Sequence, residues 1–414
     1  DRFEVHEILM AIPSASLALK QRTLAAVEGA TVPIKILPSV KQLLEDPALL
    51  HRVRPMSLED LLQREPIQTD QQELHPLIEG KTVLVTGAGG SIGSELCRQI
   101  AQYRPGVLVL FERYENALHA LLLEMRAAFP GVAVVPIVAD VTMPDRVTEV
   151  FRHTDPDIVF HAAAHKHVPL MELNPKEAVR NNIWGTRVLA EAALASGVDR
   201  FVLISTDKAV NPSSVMGATK RIAEHLIQVL SQRGQTRFTV VRFGNVLGSN
   251  GSVVPLFADQ IRKGGPLTVT DPEIKRFFMT IPEAVQLVLQ ASVMGQGGEV
   301  FVLDMGEQIK IADLARNMIV LSGFVPGKDI DIVYTGLRVG EKLYEELFEE
   351  GEQVLPTAHA KINRAVGAPL LVEDFERWIA ELQSRLAEGE EEDLLQDLKR
   401  IVPTFQPTIS QRVS

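Results

Sequence analysis

The sequence predicts an α/β protein, a doubly wound parallel sheet with a smaller C-terminal lobe and a partial α/β segment ahead of it. Three observations predict this. Short apolar runs alternate with helical patterns from Lys81 to Phe243. A glycine-rich turn in KTVLVTGAGGSIG joins the first of those runs to a helix. A carboxylate, Glu112, closes the second run, at the distance that a nucleotide-binding sheet places one.

Taken in order, residues 1–40 hold two strand-like runs, EILMAIP (7–13) and VPIKILP (32–38). Between them lies a helical pattern over 14–28, with Ser14 or Ser16 as N-cap. That is one βαβ unit, too small to stand alone, and it reads as the tail of a preceding α/β domain. Residues 39–80 are polar, with helical patches VKQLLEDP and SLEDLLQ and a loop QREPIQTDQQ, and read as a connector. The chain begins at Asp1 without Met or a signal-peptide pattern, as expected of a fragment of something longer.

Val83, Leu84 and Val85 then form a buried parallel strand. Gly87, Gly90 and Gly93 follow at spacings of three, before the helical segment SELCRQIAQY. Each glycine has a job if a pyrophosphate sits here. Gly87 allows the tight turn, Gly90 lets phosphates approach the backbone, and Gly93 lets the helix lie close to the sheet. The amides of Ser91, Ile92 and Gly93 open the helix and offer donors to an anion. A glycine turn alone also fits a plain β-α connection, but here strand, turn and helix arrive in the order a dinucleotide site requires.

VLVLFE (107–112) is the second strand, VAVVPIVAD (132–140) the third and PDIVFHAAA (156–164) the fourth. A long helix covers 175–196, RFVLIST (200–206) is the fifth strand and FTVVRF (238–243) the sixth. Strands with intervening helices specify right-handed crossovers in one sheet. After Gly244 the pattern loosens into IPEAVQLVLQASVM, EVFVLDM, KIADLARNMIVL and DIDIVY, read as a smaller substrate-covering lobe. Residues 371–401 are helical, with a solvated acidic run, GEEED. The expected partition is 1–78, a catalytic domain over 79–370 with its lobe mostly after 244, and a helical segment over 371–414.

Net charge of −11 argues against nucleic acid or an anionic membrane as the main partner. One cysteine, Cys97, excludes a disulfide framework and a cysteine metal site, and no metal is expected. No apolar run is long enough to span a membrane.

Glu112 can accept both hydroxyls of an adenosine ribose, which favours NAD; its neighbour Arg113 could instead hold the extra phosphate of NADP. Asp140 and Val141 end the third strand, where they meet an adenine edge or, for Asp140, cap a turn. Ala162, in the HAAA that closes the fourth strand, completes the candidate cofactor set. Thr206, Asp207 and Lys208 lie at the C-terminal end of the fifth strand, where ligands of open α/β sheets gather. Met216 and Lys220, four apart, share one helix face.

TGAGGSIG, HAAA, NNIWGT, ISTDKAV, VMGATK and RFGNVLGSNGSVVP together resemble the extended short-chain dehydrogenase/reductases. More narrowly, they resemble the bacterial UDP-N-acetylglucosamine 4,6-dehydratases of polysaccharide and protein-glycosylation pathways, in their long, membrane-anchored form. The resemblance covers about 78–365, and 1–77 as well if the long form is meant. It implies a Rossmann-type NAD domain and UDP-N-acetylglucosamine as substrate. It also implies a homo-oligomer, for which the amphipathic helices beside Lys220 offer a face. This chain would be the cytoplasmic portion of a protein tethered to the inner membrane.

The wider superfamily has a tyrosine where this chain has Met216, and a thioether cannot exchange a proton at neutral pH. The long-form dehydratases are similar in carrying Met, so the departure narrows the family. The resemblance implies oxidation at carbon 4, removal of the carbon 5 proton by Lys208 and protonation of the carbon 6 hydroxyl by Asp207. Thr206 would bond the carbon 4 oxygen, and Lys220 would grip the nicotinamide ribose. Lys208 would need burial and the nearby Lys220 to make it basic, and Asp207 would need to hold a proton. By the same resemblance Asn182 holds the strand end, and His165, Lys166 and His167 lie near the sugar. Asn245 and Ser252 belong to a closing loop, while Arg276, Arg338 and Glu341 grip the uridine diphosphate. Two alternatives stay open: a UDP-sugar 4-epimerase, which needs no Asp207–Lys208 pair, and a non-catalytic NAD-binding regulator of a glycan-assembly complex.

Overall fold

Runs that are apolar on both faces need cover on both sides, and in this chain they become inner strands of a parallel sheet. The computed structural model describes residues 5–12, 19, 22–23, 26, 32, 34–37, 54–56, 60, 71–367, 372–388 and 391–407. The parallel strands are β1 (Thr82–Thr86), β2 (Val107–Glu112), β3 (Ala133–Val138), β4 (Ile158–His161), β5 (Arg200–Thr206), β6 (Arg237–Phe243) and β7 (Glu299–Leu303). Two more, β8 (Gln353–Pro356) and β9 (Ile362–Val366), run antiparallel to their neighbours and complete that edge. Among the described residues the order across the sheet is β8-β9-β7-β6-β5-β4-β1-β2-β3. The chain leaves β1 toward β2 and β3, then returns to place β4 on β1's other side. The topological switch therefore lies between β1 and β4, and ligands bind beyond strand C-termini at such a point.

The first crossovers are α1 (Gln71–Ile78), which leads into β1, then α2 (Ser91–Gln102), α3 (Glu115–Ala128) and α4 (Pro144–Thr154). After β4 come α5 (Val168–Glu172) and α6 (Pro175–Val179), then a π turn over Arg180–Trp184 that runs into α7 (Gly185–Ala195). The long helix expected over 175–196 is thus interrupted. The wider turn admits an extra residue and sets Asn181 and Asn182 inward, 4% and 1% exposed. Next come α8 (Val215–Leu230), α9 (Ile281–Met294), α10 (Val372–Glu388) and α11 (Glu391–Ile401).

The chain forms two compact units. The larger holds 67–244, 281–305 and 338–414; the smaller holds 1–66, 245–280 and 306–337. Residues 281–294 and 299–303, grouped with the small lobe from sequence, therefore belong to the large sheet. The reason is burial: β7 is apolar on both faces, pairs with β6, and α9 packs on α2.

Within the smaller unit, Asn245–Val246 pairs with Phe278–Met279 and Leu267–Val269 with Ile332–Tyr334, both parallel. Helices Val253–Arg262 and Ile311–Leu321 supply its core, with Phe257, Leu314 and Ile319. Ile8–Met10 and Ile34–Ile36 pair in parallel, beside antiparallel Arg54–Pro55, and pack on Val320. Most of the helix expected over 14–28, and most of 39–70, lies outside the described residues.

In the larger unit, α8 has all but two of its 16 residues buried within this one chain. Phe375, Ile379 and Leu382 of α10, with Leu394 and Leu398 of α11, join the core that holds Leu226 and Val229 of α8. The helix that carries Lys220 thus spends its apolar surface on the chain's own C-terminal helices. Among the described residues no helix is long and apolar enough to cross a membrane.

Candidate active site

The glycine turn after β1 is built around contacts that a side chain would break. Gly87 has φ +63°, and a Cβ there would lie 2.7 Å from the Ala163 nitrogen. A Cβ on Gly93 would fall 2.0 Å from the Gly87 carbonyl oxygen, so α2 rests directly on the turn. Gly90 is the N-cap of α2 and no side chain caps that helix, whose first turn is Ser91, Ile92 and Gly93. Such an N-terminus is a ready site for a phosphate.

Beyond it opens a cleft of about 230 Å³. Gly87, Gly90, Glu112, Arg113, Val141, Ala162 and His165 line it, as do Phe111, Ala139 and Asn181, which the sequence reading did not single out. The Glu112 carboxylate accepts from the Gly89 amide at 3.0 Å and the Tyr114 amide at 2.9 Å, which fixes it at the strand end. Arg113 is drawn aside, 3.6 Å from Asp140 and 3.3 Å from His165 Nε2. Asp140 also accepts from the amide and hydroxyl of Thr142, both at 2.8 Å, and so caps a turn. Burial works to raise the Asp140 carboxyl, but the Thr142 donors and Arg113 outweigh it and hold it below the usual range.

Beneath the cleft runs a directional hydrogen-bond chain that the sequence did not reveal. The Ala163 amide donates to Thr86 Oγ1 at 3.3 Å, and Thr86 Oγ1 stands 2.7 Å from His161 Nδ1. His161 Nε2 lies 2.9 Å from Thr186 Oγ1, whose proton goes to the Asn182 carbonyl at 2.7 Å. That last bond makes Thr186 an acceptor toward His161 and assigns the Nε2–H tautomer. Burial, helped by Lys220, pushes His161 down to about 3, so it stays neutral.

Asn182 joins two parts of the site. Its Oδ1 accepts from the His165 amide at 2.8 Å, and its Nδ2 donates to the His165 carbonyl at 3.0 Å and to Thr219 Oγ1 at 3.1 Å. Thr219 neighbours Lys220, whose Nζ donates to the Ile204 carbonyl of β5 at 2.7 Å. Burial, partly offset by Glu224, lowers Lys220 to about 8. His165 also lies 3.1 Å from Glu177, while Lys166 and His167 are exposed; partial desolvation is the main cause that lowers both.

Two residues past Ile204, β5 ends in Thr206, and Asp207–Ala209 form a single tight turn. Asp207 is 1% exposed, and its Oδ1 accepts from Thr206 Oγ1 at 2.9 Å and from Lys208 Nζ at 3.0 Å. Its Oδ2 is buried without a hydrogen-bond partner among the described residues. Lys208 also faces Glu345 at 3.7 Å. Lys220, expected from sequence to help lower the Lys208 pKa, donates its Nζ to the Ile204 carbonyl, and Asp207 and Glu345 are among the ion-pair partners of Lys208. In α8, Gly217 lets the helix start abut the turn, because a Cβ there would lie 2.2 Å from the Lys208 carbonyl oxygen. Met216 is 2% exposed and sits in the apolar core.

The remaining expected residues are distributed between the units. Arg338 and Glu341 stand in the larger unit, joined through the Arg338 amide and the Glu341 carboxylate at 3.2 Å. Asn245, Ser252 and Arg276 belong to the smaller unit, where Ser252 is the N-cap residue of Val253–Arg262 and Arg276 donates to the Lys275 carbonyl at 2.8 Å. The larger unit alone supplies the lining of the cleft.

A doubly wound sheet with a glycine turn and a cleft at its switch point defines a nucleotide-binding α/β enzyme fold of the short-chain dehydrogenase/reductase type. The chain belongs to the polysaccharide biosynthesis protein family, which matches residues 83–366. It is 48% identical over 93% of its length to the probable polysaccharide biosynthesis protein EpsC of Bacillus subtilis, and spans 66% of that protein's length. Two enzymes lie at similar distance. A UDP-N-acetylglucosamine 4,6-dehydratase (inverting) of Campylobacter jejuni is 34% identical over 67% of this chain and 80% of its own. A UDP-glucose 4-epimerase of Rickettsia bellii is 35% identical over 66% of this chain and 79% of its own. Among solved structures, Pen from Bacillus thuringiensis is similar at 35% identity with a TM-score of 0.65, over 73% of this chain and 98% of its own.

Proposed function

We propose that this chain binds NAD and converts UDP-N-acetylglucosamine to its 4-keto-6-deoxy derivative. The observation that carries the reading is the pair at the end of β5: a buried Asp207 with one oxygen unpartnered, 3.0 Å from the Lys208 amine. Elimination of water needs an acid and a base together, and epimerisation at carbon 4 needs neither there.

The cleft suits NAD. Gly87 and Gly93 keep the turn clear of side chains, the N-terminus of α2 has no capping side chain, and Glu112 is held where a ribose would lie. Arg113, drawn toward Asp140, favours NAD over NADP. When bound, NAD supplies oxidation at carbon 4 and returns the same hydrogen to carbon 6.

The chain's own groups do the rest. Asp207 and Lys208 hold one proton between them. Once it sits on Asp207, the free Lys208 amine takes the carbon 5 proton, and the electron pair of that bond forms the carbon 5–carbon 6 double bond. Asp207 gives its proton to the departing carbon 6 hydroxyl, which leaves as water. The pair ends as ammonium and carboxylate, so the step needs no outside proton. Lys220 holds the nicotinamide ribose, and the neutral His161 chain with Asn182 keeps the floor of the cleft fixed. Thr206 steers Asp207 and the carbon 4 oxygen, while Met216 leaves proton removal from the carbon 4 hydroxyl to a water held near Thr206.

Incubation with UDP-N-acetylglucosamine is expected to yield a product lighter by one water. Lys208→Ala and Asp207→Asn should each lower turnover by about a hundredfold or more while NAD binding is kept. An isomer of unchanged mass would favour the epimerase reading, which the Rickettsia relative's name supports. Near-normal turnover in Lys208→Ala would remove Lys208 from the base role.

A further inference from the structure

We infer that Glu345 is a positioning residue for Lys208, a second carboxylate that fixes the amine and steadies the charge it acquires; this rests on the dehydratase reading above. Glu345 Oε1 lies 3.7 Å from Lys208 Nζ, against 3.0 Å for Asp207 Oδ1, and its side chain is 4% exposed. A carboxylate is rarely buried to that degree without a charge to answer.

The segment that carries Glu345 is laced to the catalytic turn. Lys342 Nζ donates to the Val210 carbonyl at 2.8 Å, and Ser213 Oγ donates to the Gly340 carbonyl at 2.8 Å. Asn211 Nδ2 donates to Glu346 at 2.6 Å, and its amide reaches Glu349 at 3.4 Å. Gly340, at φ +77°, approaches so closely that a Cβ would lie 2.9 Å from Ser214 Cβ. The spacing between Glu345 and Lys208 is therefore set by several independent bonds on each side, as a functional pair requires.

The charges around Lys208 explain what Glu345 does. Among the groups facing it are Asp207, Glu345 and Lys342. During elimination Asp207 is occupied with the leaving hydroxyl, holding a proton and then giving it up. Glu345 then offers the lysine a negative partner that keeps its charge as the amine takes the carbon 5 proton. No bond to Glu345 forms or breaks.

The test compares wild type with Glu345→Gln, which keeps the shape, and Glu345→Asp, which keeps the charge. Glu345→Gln should lower kcat by about tenfold to a hundredfold with KM and NAD affinity within about twofold of wild type, and Glu345→Asp should recover part of it. A stalled elimination is expected to show as slowed exchange of the carbon 5 hydrogen with solvent, while oxidation at carbon 4 proceeds. A second readout needs no turnover: acylation of Lys208, followed by mass spectrometry across pH, should begin at lower pH in Glu345→Gln, because an ammonium loses a neighbouring anion. Equal labelling profiles, or unchanged kcat in Glu345→Gln, would overturn the inference. A wild-type protein that forms no dehydrated product would sink the dehydratase reading instead, and the labelling profile would still decide whether Glu345 governs Lys208.

Discussion

Gly93 shows how one missing side chain sets the geometry of the cofactor end. A methyl group there would have to occupy space 2.0 Å from the Gly87 carbonyl, so the helix must retreat or the turn must open. Gly93→Ala should destabilise the protein by about 1–3 kcal/mol and weaken NAD binding at least tenfold, read by denaturant unfolding and by titration. His161 and His225 are opposite cases, large groups kept neutral by burial. Both are lowered from 6.5 to about 3, His161 by burial then Lys220, His225 by burial then Arg221. Below their ordinary value the unfolded chain takes up protons that the folded one refuses. Stability is therefore full above about pH 6.5 and falls as pH drops toward 3, by up to about 1.4 kcal/mol per pH unit for each histidine. His225 Nδ1 has no hydrogen-bond partner among the described residues, so His225→Leu should lessen that slope without loss of a bond at that nitrogen. Denaturant midpoints at several pH values between those limits would show it, and an unaltered slope would contradict it.

At the scale of elements, two assemblies pack around the turn at Asp207–Ala209. One is a buried ion cluster. Arg242, fully buried, pairs with Glu224 at 2.8 Å and Glu352 at 2.9 Å, and Ser205 Oγ donates to Glu224 at 2.5 Å, one residue before Thr206. Burial works to raise Glu224, but Arg242 and its other donors bring it down to about 2. The second is the C-terminal helix pair, where Phe375 of α10 meets His225 of α8 edge-on at 6.1 Å between ring centres. Phe375→Ala should cost about 3–5 kcal/mol in urea unfolding with NAD affinity unchanged. A loss under about 1 kcal/mol would mean that α10 does not anchor this face. Much of this scale was legible in sequence. The apolar runs at 83–85, 107–112, 200–206 and 238–243 all became strands, because a doubly covered sheet leaves no polar face to blur the pattern. The π turn was not legible, since RNNIW carries no composition that marks a wider turn. EVFVLDM was legible as a strand, but its residues alone cannot say which sheet β7 joins.

At the scale of the molecule, the sequence placed Asp207 and Lys208 at a strand end, but it could not show what surrounds them. Glu345 stands in EKLYEELFEEGE, where five other glutamates look alike until the fold buries this one beside Lys208. His161 was hidden in the same way: HAAA marks a strand end, and only the neighbouring Thr86 and Thr186 give the ring its tautomer. Both misses are long-range pairings, which no local pattern encodes.

In the proposed reaction one sugar is oxidised, dehydrated and reduced on a single surface, with the hydrogen from carbon 4 delivered to carbon 6. UDP-N-acetylglucosamine carrying deuterium at carbon 4 tests this directly. Proton and deuterium NMR of the product should find that label in a new methyl group at carbon 6, beside a ketone at carbon 4. Label remaining at carbon 4 of a sugar that has lost no water would contradict the account.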